Sequence, residues 1–273
     1  MEFWELIKYI FLGLLQGITE PIPVSSSGHL VIARELFGIE ATGLSFEIFL
    51  NTASLLAVLF IYRNDIIVIV KNLCRFLFQG ARDAQAVKDA KYTMYLIIAT
   101  IPVGVMGLLL NDIIGENISM GFVGLMLLVT GLALWFIKNK RGQKRDGELT
   151  VKDSVIVGLA QVVALTPGVS RSGATLVGAM AVGLNQANAL RFVFLLYVPV
   201  SLGTALIGMP DIARDPNIDT LWLAYVLAFV ASLIATYYAL RWLQGVMERG
   251  NLIIFSYYCF GLGTFAILYQ LIF

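Results

Sequence analysis

GLLQGITEPIPVSSSGH, Gly13 to His29, interrupts apolar sequence with two prolines, a carboxylate, a run of serines and an imidazole. A worn copy of it, GLAQVVALTPGVSRSGA, runs from Gly158 to Ala174. Aligned without gaps, Gly13/Gly158, Leu14/Leu159, Gln16/Gln161, Val24/Val169, Ser25/Ser170, Ser27/Ser172 and Gly28/Gly173 are identical. The copies differ where chemistry would sit. The first has Glu20, Ser26 and His29; the second has Leu165, Arg171 and Ala174. If the two loops meet in space, they make an anion-handling site.

The surrounding chain is membrane-like. It has 273 residues, of which 59% are hydrophobic and 14% charged, with a mean hydropathy of +0.83. Soluble domains carry roughly a quarter of their residues as charged groups. Six apolar runs approach the ~20 residues needed to cross a bilayer: 45–62, 93–110, 118–137, 190–209, 221–243 and 252–272. Four shorter pieces, 3–16, 28–38, 154–166 and 173–184, flank the two motifs. Pro21, Pro23, Pro167 and the motif glycines cannot continue a helix. Broken backbone at membrane depth is tolerated only inside protein or beside water, so each motif reads as the tip of a re-entrant helical hairpin.

The predicted fold class is therefore an all-α integral membrane protein of two repeats, each a re-entrant hairpin plus three transmembrane helices. A hairpin returns to the side it entered from, and three spans are an odd number, so the second repeat starts on the opposite side. The repeats are expected to be inverted, an arrangement known for membrane sites built on broken helices. The chain reads as a single transmembrane domain: repeat one 1–137, a cytoplasmic connection 138–153, and repeat two 154–273.

Loop charge gives the orientation. Loop 63–92 carries Arg63, Lys71, Arg75, Arg82, Lys88 and Lys91. Loop 138–153 carries Lys138, Lys140, Arg141, Lys144, Arg145 and Lys152, and loop 244–251 carries Arg249. Loops 39–44, 111–117 and 210–220 hold Arg214 against Glu40, Asp112, Glu116, Asp211, Asp215 and Asp219. The positive-inside rule puts the first set in the cytoplasm. Both termini and the first hairpin then open outward. Glu2 and Glu5 in place of a basic segment argue against a cleavable signal peptide. The segment 66–78 reads either as an interfacial helix or as an extension of the preceding span.

A net charge of +1 with no basic tail gives no reason to expect nucleic acid as a partner. Cys74 and Cys259 are far apart in apolar surroundings and read as buried small hydrophobes. Arg141 to Glu148 reads as a solvated connection. Glu47 and Arg191, near the starts of matching spans, read as an ion pair bridging the repeats.

The motif residues carry the chemistry. Ser25, Ser26, Ser27 and Gly28 look like a loop feeding a helix N-terminus, where free N–H groups bind phosphate. One hydroxyl becomes a nucleophile if a base is near. His29 is the only histidine and sits within a turn of Ser26. Glu20 could orient it, act as the base, or hold a cation. Arg171, flanked by Ser170, Ser172 and Gly173, presents a fork that matches two phosphate oxygens. A lone histidine is more often structural than catalytic, membrane serines usually serve packing, and Arg171 could pair with Glu20. Intramembrane ionisable groups are nonetheless functional by default, and here three converge on two related loops.

Gln16 to His29 together with Pro167 to Thr175 resembles the bacterial undecaprenyl pyrophosphate phosphatase family, also called the bacitracin-resistance family. The likeness covers the whole chain. It implies hydrolysis of undecaprenyl pyrophosphate to undecaprenyl phosphate at the outer face of the bacterial cytoplasmic membrane, which recycles the lipid carrier for peptidoglycan. It also implies Ser26 as nucleophile, with Glu20, His29 and Arg171 as catalytic and phosphate-binding residues. Calcium or magnesium is the implied cofactor, with Glu20 and Gln16 as its ligands. The family usually has a glutamate where this chain has Gln16, which coordinates through its carbonyl but brings no charge. The partners expected are a polyprenyl pyrophosphate lipid and the bilayer, with a homodimer an open assembly state. A transporter or flippase of polyprenyl phosphate is the rival reading, since broken helices suit alternating access too.

Overall fold

A computed structural model describes residues 3–38, 43–110, 118–213 and 218–273. The described residues form α-helices joined by short turns. In chain order these are α1 (Phe3–Thr19), α2 (Ser26–Phe37), α3 (Gly43–Ile61), α4 (Arg63–Phe78), α5 (Ala84–Leu110) and α6 (Met120–Ile137). A 3₁₀ turn at Asp146–Glu148 precedes α7 (Val151–Val163), α8 (Arg171–Ala181), α9 (Gln186–Ala213), α10 (Ile218–Arg249) and α11 (Ile253–Ile272). The all-α class is as expected. Five of these helices are long and apolar enough to cross a membrane, six if the bent pair α3–α4 counts as one span. The protein is a multi-pass membrane protein.

All four short apolar pieces are helices, and the motifs are the turns between them. α1 turns into α2 at Pro21–Pro23, and α7 turns into α8 at Pro167–Gly168. Each hairpin packs on a helix from the other half of the chain: α1 runs along α10, and α7 runs along α5. α6 pairs with α11 and α3 with α9. The matched glycines of the two copies make the two crossings. A Cβ on Gly13 would lie 2.8 Å from Ala228 Cα, and one on Gly158 would lie 3.1 Å from Ala99 Cα. Without Cβ atoms the backbones come close enough for dense packing, which holds helices together in lipid.

Several expectations are corrected. Residues 63–92 are mostly helix rather than loop, because α4 and the first turns of α5 alternate apolar with charged residues. α4 bends 74° away from α3, so it is a distinct helix and not a straight extension of the preceding one. Most of Arg141 to Glu148 is exposed, as expected of a solvated connection, but the segment is also anchored. Asp146 in it is buried and bonded to Arg191, and Lys144 exchanges backbone hydrogen bonds with Gly183 and Asn185. Glu47 and Arg191 do not pair. Glu47 holds Arg34 at 2.9 Å, while Arg191 holds Asp65 at 2.7 Å and also Asp146. Cys74 is exposed and Cys259 is buried, and both thiols are free. Glu40, Asp112, Glu116 and Asp215, with Arg214, which the charge argument placed in the outer loops, lie outside the described residues. Asp211 and Asp219 fall on helix, but their side chains are outside the description.

Candidate active site

The two hairpin tips meet. A Cβ built on Gly28 would stand 3.6 Å from Gly168 Cα, and one built on Gly173 would stand 3.4 Å from Pro23 Cβ. Ser172 Oγ donates to the backbone carbonyls of Glu20 at 3.3 Å and Ile22 at 3.1 Å. The second loop therefore fastens the turn of the first. Gly168 makes the contact possible. Its φ is +90°, and a Cβ there would lie 2.8 Å from Met126 Cβ on α6.

Both loops end in the same cap. Ser25 Oγ accepts from Gly28 N at 3.2 Å to start α2, and Ser170 Oγ accepts from Gly173 N at 3.0 Å to start α8. Ser25 also contacts Ser27 Oγ at 3.4 Å, and Ser170 contacts Ser172 Oγ at 3.2 Å. Ser170 N donates to Thr130 Oγ1 at 3.3 Å, tying this cap to α6. The copies differ in backbone. Ser25 has a φ of 68°, a left-handed conformation unusual for a residue with a side chain, whereas Ser170 is extended at −71°. Ser26 and Arg171 are the first residues of α2 and α8. Two helix N-termini, each with unpaired N–H groups and the positive end of its dipole, thus open at the meeting point.

Glu20 is the hub. One carboxylate oxygen accepts from Ser26 Oγ and from Gln16 Nε2 at 2.8 Å. The other accepts from Asn51 Nδ2 on α3 at 2.8 Å. A serine bonded to a carboxylate is the arrangement that activates a hydroxyl. His29 is directed elsewhere. Its Nδ1 lies 2.7 Å from the Ser25 carbonyl, and its Nε2 lies 2.7 Å from Tyr258 Oη on α11. A carbonyl only accepts, so Nδ1 carries the proton, and Nε2 of the neutral ring accepts the tyrosine hydroxyl. Both nitrogens are engaged away from Ser26. The geometry therefore leaves Glu20 as the proton acceptor in contact with that hydroxyl.

Arg171 forms no ion pair with Glu20 or any other described carboxylate. Its Nη1 donates to Ser201 Oγ at 3.3 Å, and its guanidinium carbon lies 5.8 Å from the Tyr197 ring centre. Glu20 and Arg171 line one small cavity between the hairpins, with Gln161 and Thr175 in the same wall. A charged fork with only a hydroxyl partner, beside two helix N-termini, has the chemistry that suits a multiply charged anion. The 257 residues from 9 to 265 match the family model for the bacitracin resistance protein BacA.

The chain belongs to the BacA family. Its relatives include the undecaprenyl-diphosphatase of Oceanobacillus iheyensis, 53% identical over 98% of each chain. Undecaprenyl-diphosphatase 2 of Bacillus thuringiensis is 52% identical over 98% of this chain and 99% of its own. Undecaprenyl-diphosphatase 1 of Bacillus licheniformis is 51% identical over 98% of this chain and all of its own. In this BacA chain, Asn51, Ser201, Tyr197 and Tyr258 reach the site from α3, α9 and α11. No local motif marks Ser201, Tyr197 and Tyr258, because their approach is tertiary. Gln161 was legible as one of the identities shared by the two copies.

Glu20 and the amide carbonyl of Gln16 offer oxygen donors alone, which is the chemistry of calcium and magnesium. A single carboxylate supplemented by substrate phosphates is a usual way to hold magnesium. Among the described residues no three His, Cys, Asp or Glu side chains cluster as a protein-only cage.

Proposed function

We infer that this chain hydrolyses undecaprenyl diphosphate to undecaprenyl phosphate and inorganic phosphate. The observation that carries the reading is the Ser26–Glu20 hydrogen bond at the mouth of one helix, opposite Arg171 at the mouth of another. Family membership and relatives named for the same hydrolysis support it. They leave the transporter reading with no observation in its favour.

Ser26 Oγ attacks the terminal phosphorus in line while Glu20 takes its proton. The bridging P–O bond breaks, and Glu20 passes the proton to the departing undecaprenyl phosphate. Arg171, the loop hydroxyls of Ser170 and Ser172, and the N–H groups of both helix starts stabilise the charge on the transferring phosphoryl group. Ser25, Ser27, Gly28 and Gly173 shape those starts. Water then frees phosphate from Ser26. His29 holds the Ser25 carbonyl and so the left-handed bend that presents Ser26. Calcium or magnesium, held by Glu20 and the Gln16 carbonyl, would neutralise diphosphate charge.

The architecture we assign is a single transmembrane domain of two inverted repeats, 1–137 and 154–273, joined by a cytoplasmic connection. The exchange of helix pairs between the repeats, α1 with α10 and α7 with α5, supports it. With the basic loops inside, both termini and the site open to the outer face, and the polyprenyl tail stays in lipid.

The test is phosphate release from undecaprenyl diphosphate by purified protein in detergent with a divalent cation present. Wild type should turn over, and Ser26→Ala should lose at least roughly a thousandfold in kcat, the scale of a lost nucleophile. Ser26→Ala at near wild-type rate would sink the nucleophile assignment. Wild type that moves labelled lipid across vesicles without releasing phosphate would sink the enzyme reading.

A further inference from the structure

Gln161 sits on α7 where Gln16 sits on α1. In the first copy the amide has a partner four residues on, with Gln16 Nε2 bonded to Glu20. In the second copy that position is Leu165, yet the glutamine is still there. It is 1% exposed, and its Oε1 accepts no hydrogen bond from any described residue. A buried carbonyl left unpaired is costly, and an apolar residue of the same shape would avoid that cost. Gln161 also lines the cavity that Glu20, Arg171, Ser172, Thr175 and Tyr197 line.

That cavity measures about 10 Å³, about the volume one water requires. A buried water needs two to four polar partners, and this site offers three of the right sense. The Gln161 carbonyl and the Glu20 carboxylate accept, while the Arg171 guanidinium donates. Holding both protons of a water between two acceptors fixes its lone pairs, the task a glutamine performs in some phosphoryl-transfer sites. When the guanidinium engages phosphate instead, a lone pair is released for attack.

We propose that Gln161 is a positioning residue that holds the hydrolytic water against Glu20. The proposal rests on the phosphatase reading above. In the step it serves, the water oxygen bonds to the phosphorus carried on Ser26 and the P–Oγ bond breaks. Its electron pair returns to Oγ. The water's proton passes to Glu20 and from there to Oγ, so inorganic phosphate leaves and free serine is restored.

The experiment compares wild type, Gln161→Leu and Gln161→Glu as full-length protein in detergent, with undecaprenyl diphosphate and saturating magnesium. The leucine variant keeps the shape and removes the acceptor. Its kcat should fall roughly a hundredfold, the scale of a misplaced reactant, with KM within about twofold of wild type. Acid-quenched leucine variant should carry phosphate on Ser26, and its melting temperature should not fall below that of wild type. Gln161→Glu, which restores an acceptor, should recover at least about tenfold of the lost kcat. Three results would overturn the proposal: unchanged kcat, a raised KM at unchanged kcat, or a raised magnesium requirement. The second would make Gln161 a diphosphate ligand and the third a cation ligand. A slow leucine variant with no phosphate on Ser26 would keep the water site and overturn Ser26 as nucleophile. Wild type that released no phosphate would overturn the phosphatase reading itself.

Discussion

Ser172 Oγ donates to the backbone carbonyl of Glu20 at 3.3 Å, so the residue beside Arg171 holds the backbone of the residue bonded to Ser26. Through this bond and its companion to Ile22 at 3.1 Å, the second repeat sets the position of the first repeat's carboxylate. Ser172→Ala removes both. We expect kcat to fall roughly ten- to hundredfold through misplacement of Glu20, while a hydroxyl-restoring Ser172→Thr recovers part of the loss. Steady-state phosphate release in detergent reads this directly.

Arg171→Lys keeps the charge and loses the planar fork. Because Nη1 already engages Ser201, a flexible ammonium cannot hold two phosphate oxygens and the wall of the cavity at once. The expected loss in kcat/KM is about 10²- to 10³-fold, the range for removing one transition-state donor. A lysine variant within threefold of wild type would show that charge alone suffices.

Ser25 combines a cap with a left-handed backbone, φ 68°. Ser25→Ala loses the cap, worth about 1 kcal/mol, and keeps the backbone penalty. Ser25→Gly loses the same cap but relieves the penalty. Thermal unfolding should therefore rank wild type and the glycine variant close together, with alanine clearly lowest. Alanine melting at or above glycine would contradict the strained conformation.

Chelation tests the cation. With EDTA, phosphate release should fall at least about tenfold, and added magnesium or calcium should restore it. A single carboxylate aided by substrate phosphates holds such an ion weakly. The cation requirement should accordingly ease as diphosphate concentration rises. Full activity in EDTA would remove the cation from the scheme.

Asp146, in the connection between α6 and α7, gives a pH signature. Burial pushes its carboxyl above the ordinary 3.8, and the Arg191 guanidinium beside it only partly offsets that. The folded state therefore holds this proton more tightly than the unfolded chain does. Stability should fall as pH rises through the interval above 3.8 in which the two states differ. Asp146→Asn should flatten that part of the melting curve's pH dependence, and an unchanged slope would refute the assignment.

The spans and hairpins were legible because the bilayer imposes a length on apolar sequence and because prolines and glycines mark where helices stop. Ser26, Glu20 and Arg171 were legible from one aligned pair of loops. What the chain order concealed was partnership. Glu47 and Arg191 occupy matching places in two spans, but each is closer to acids or bases brought in from elsewhere, Arg34 for one and Asp65 with Asp146 for the other. Within 63–92 only the stretch 66–78 was legible as helix, because the start of α5 mixes charged with apolar residues and lacks a long apolar run. His29 looked like a partner of Ser26 by spacing, and only the approach of Tyr258 from α11 shows where the ring points.

The crossing of α1 on α10 and of α7 on α5 has a consequence for biosynthesis. Gly13 emerges from the ribosome long before the Ala228 backbone it fits against. The first hairpin is made without its groove and must wait until α10 has been translated, whereas the second is made after α5 and can dock at once. The half carrying the serine is thus the earlier one synthesised and the later one completed. Messages cut short before α10 would leave that hairpin with nothing to seat it.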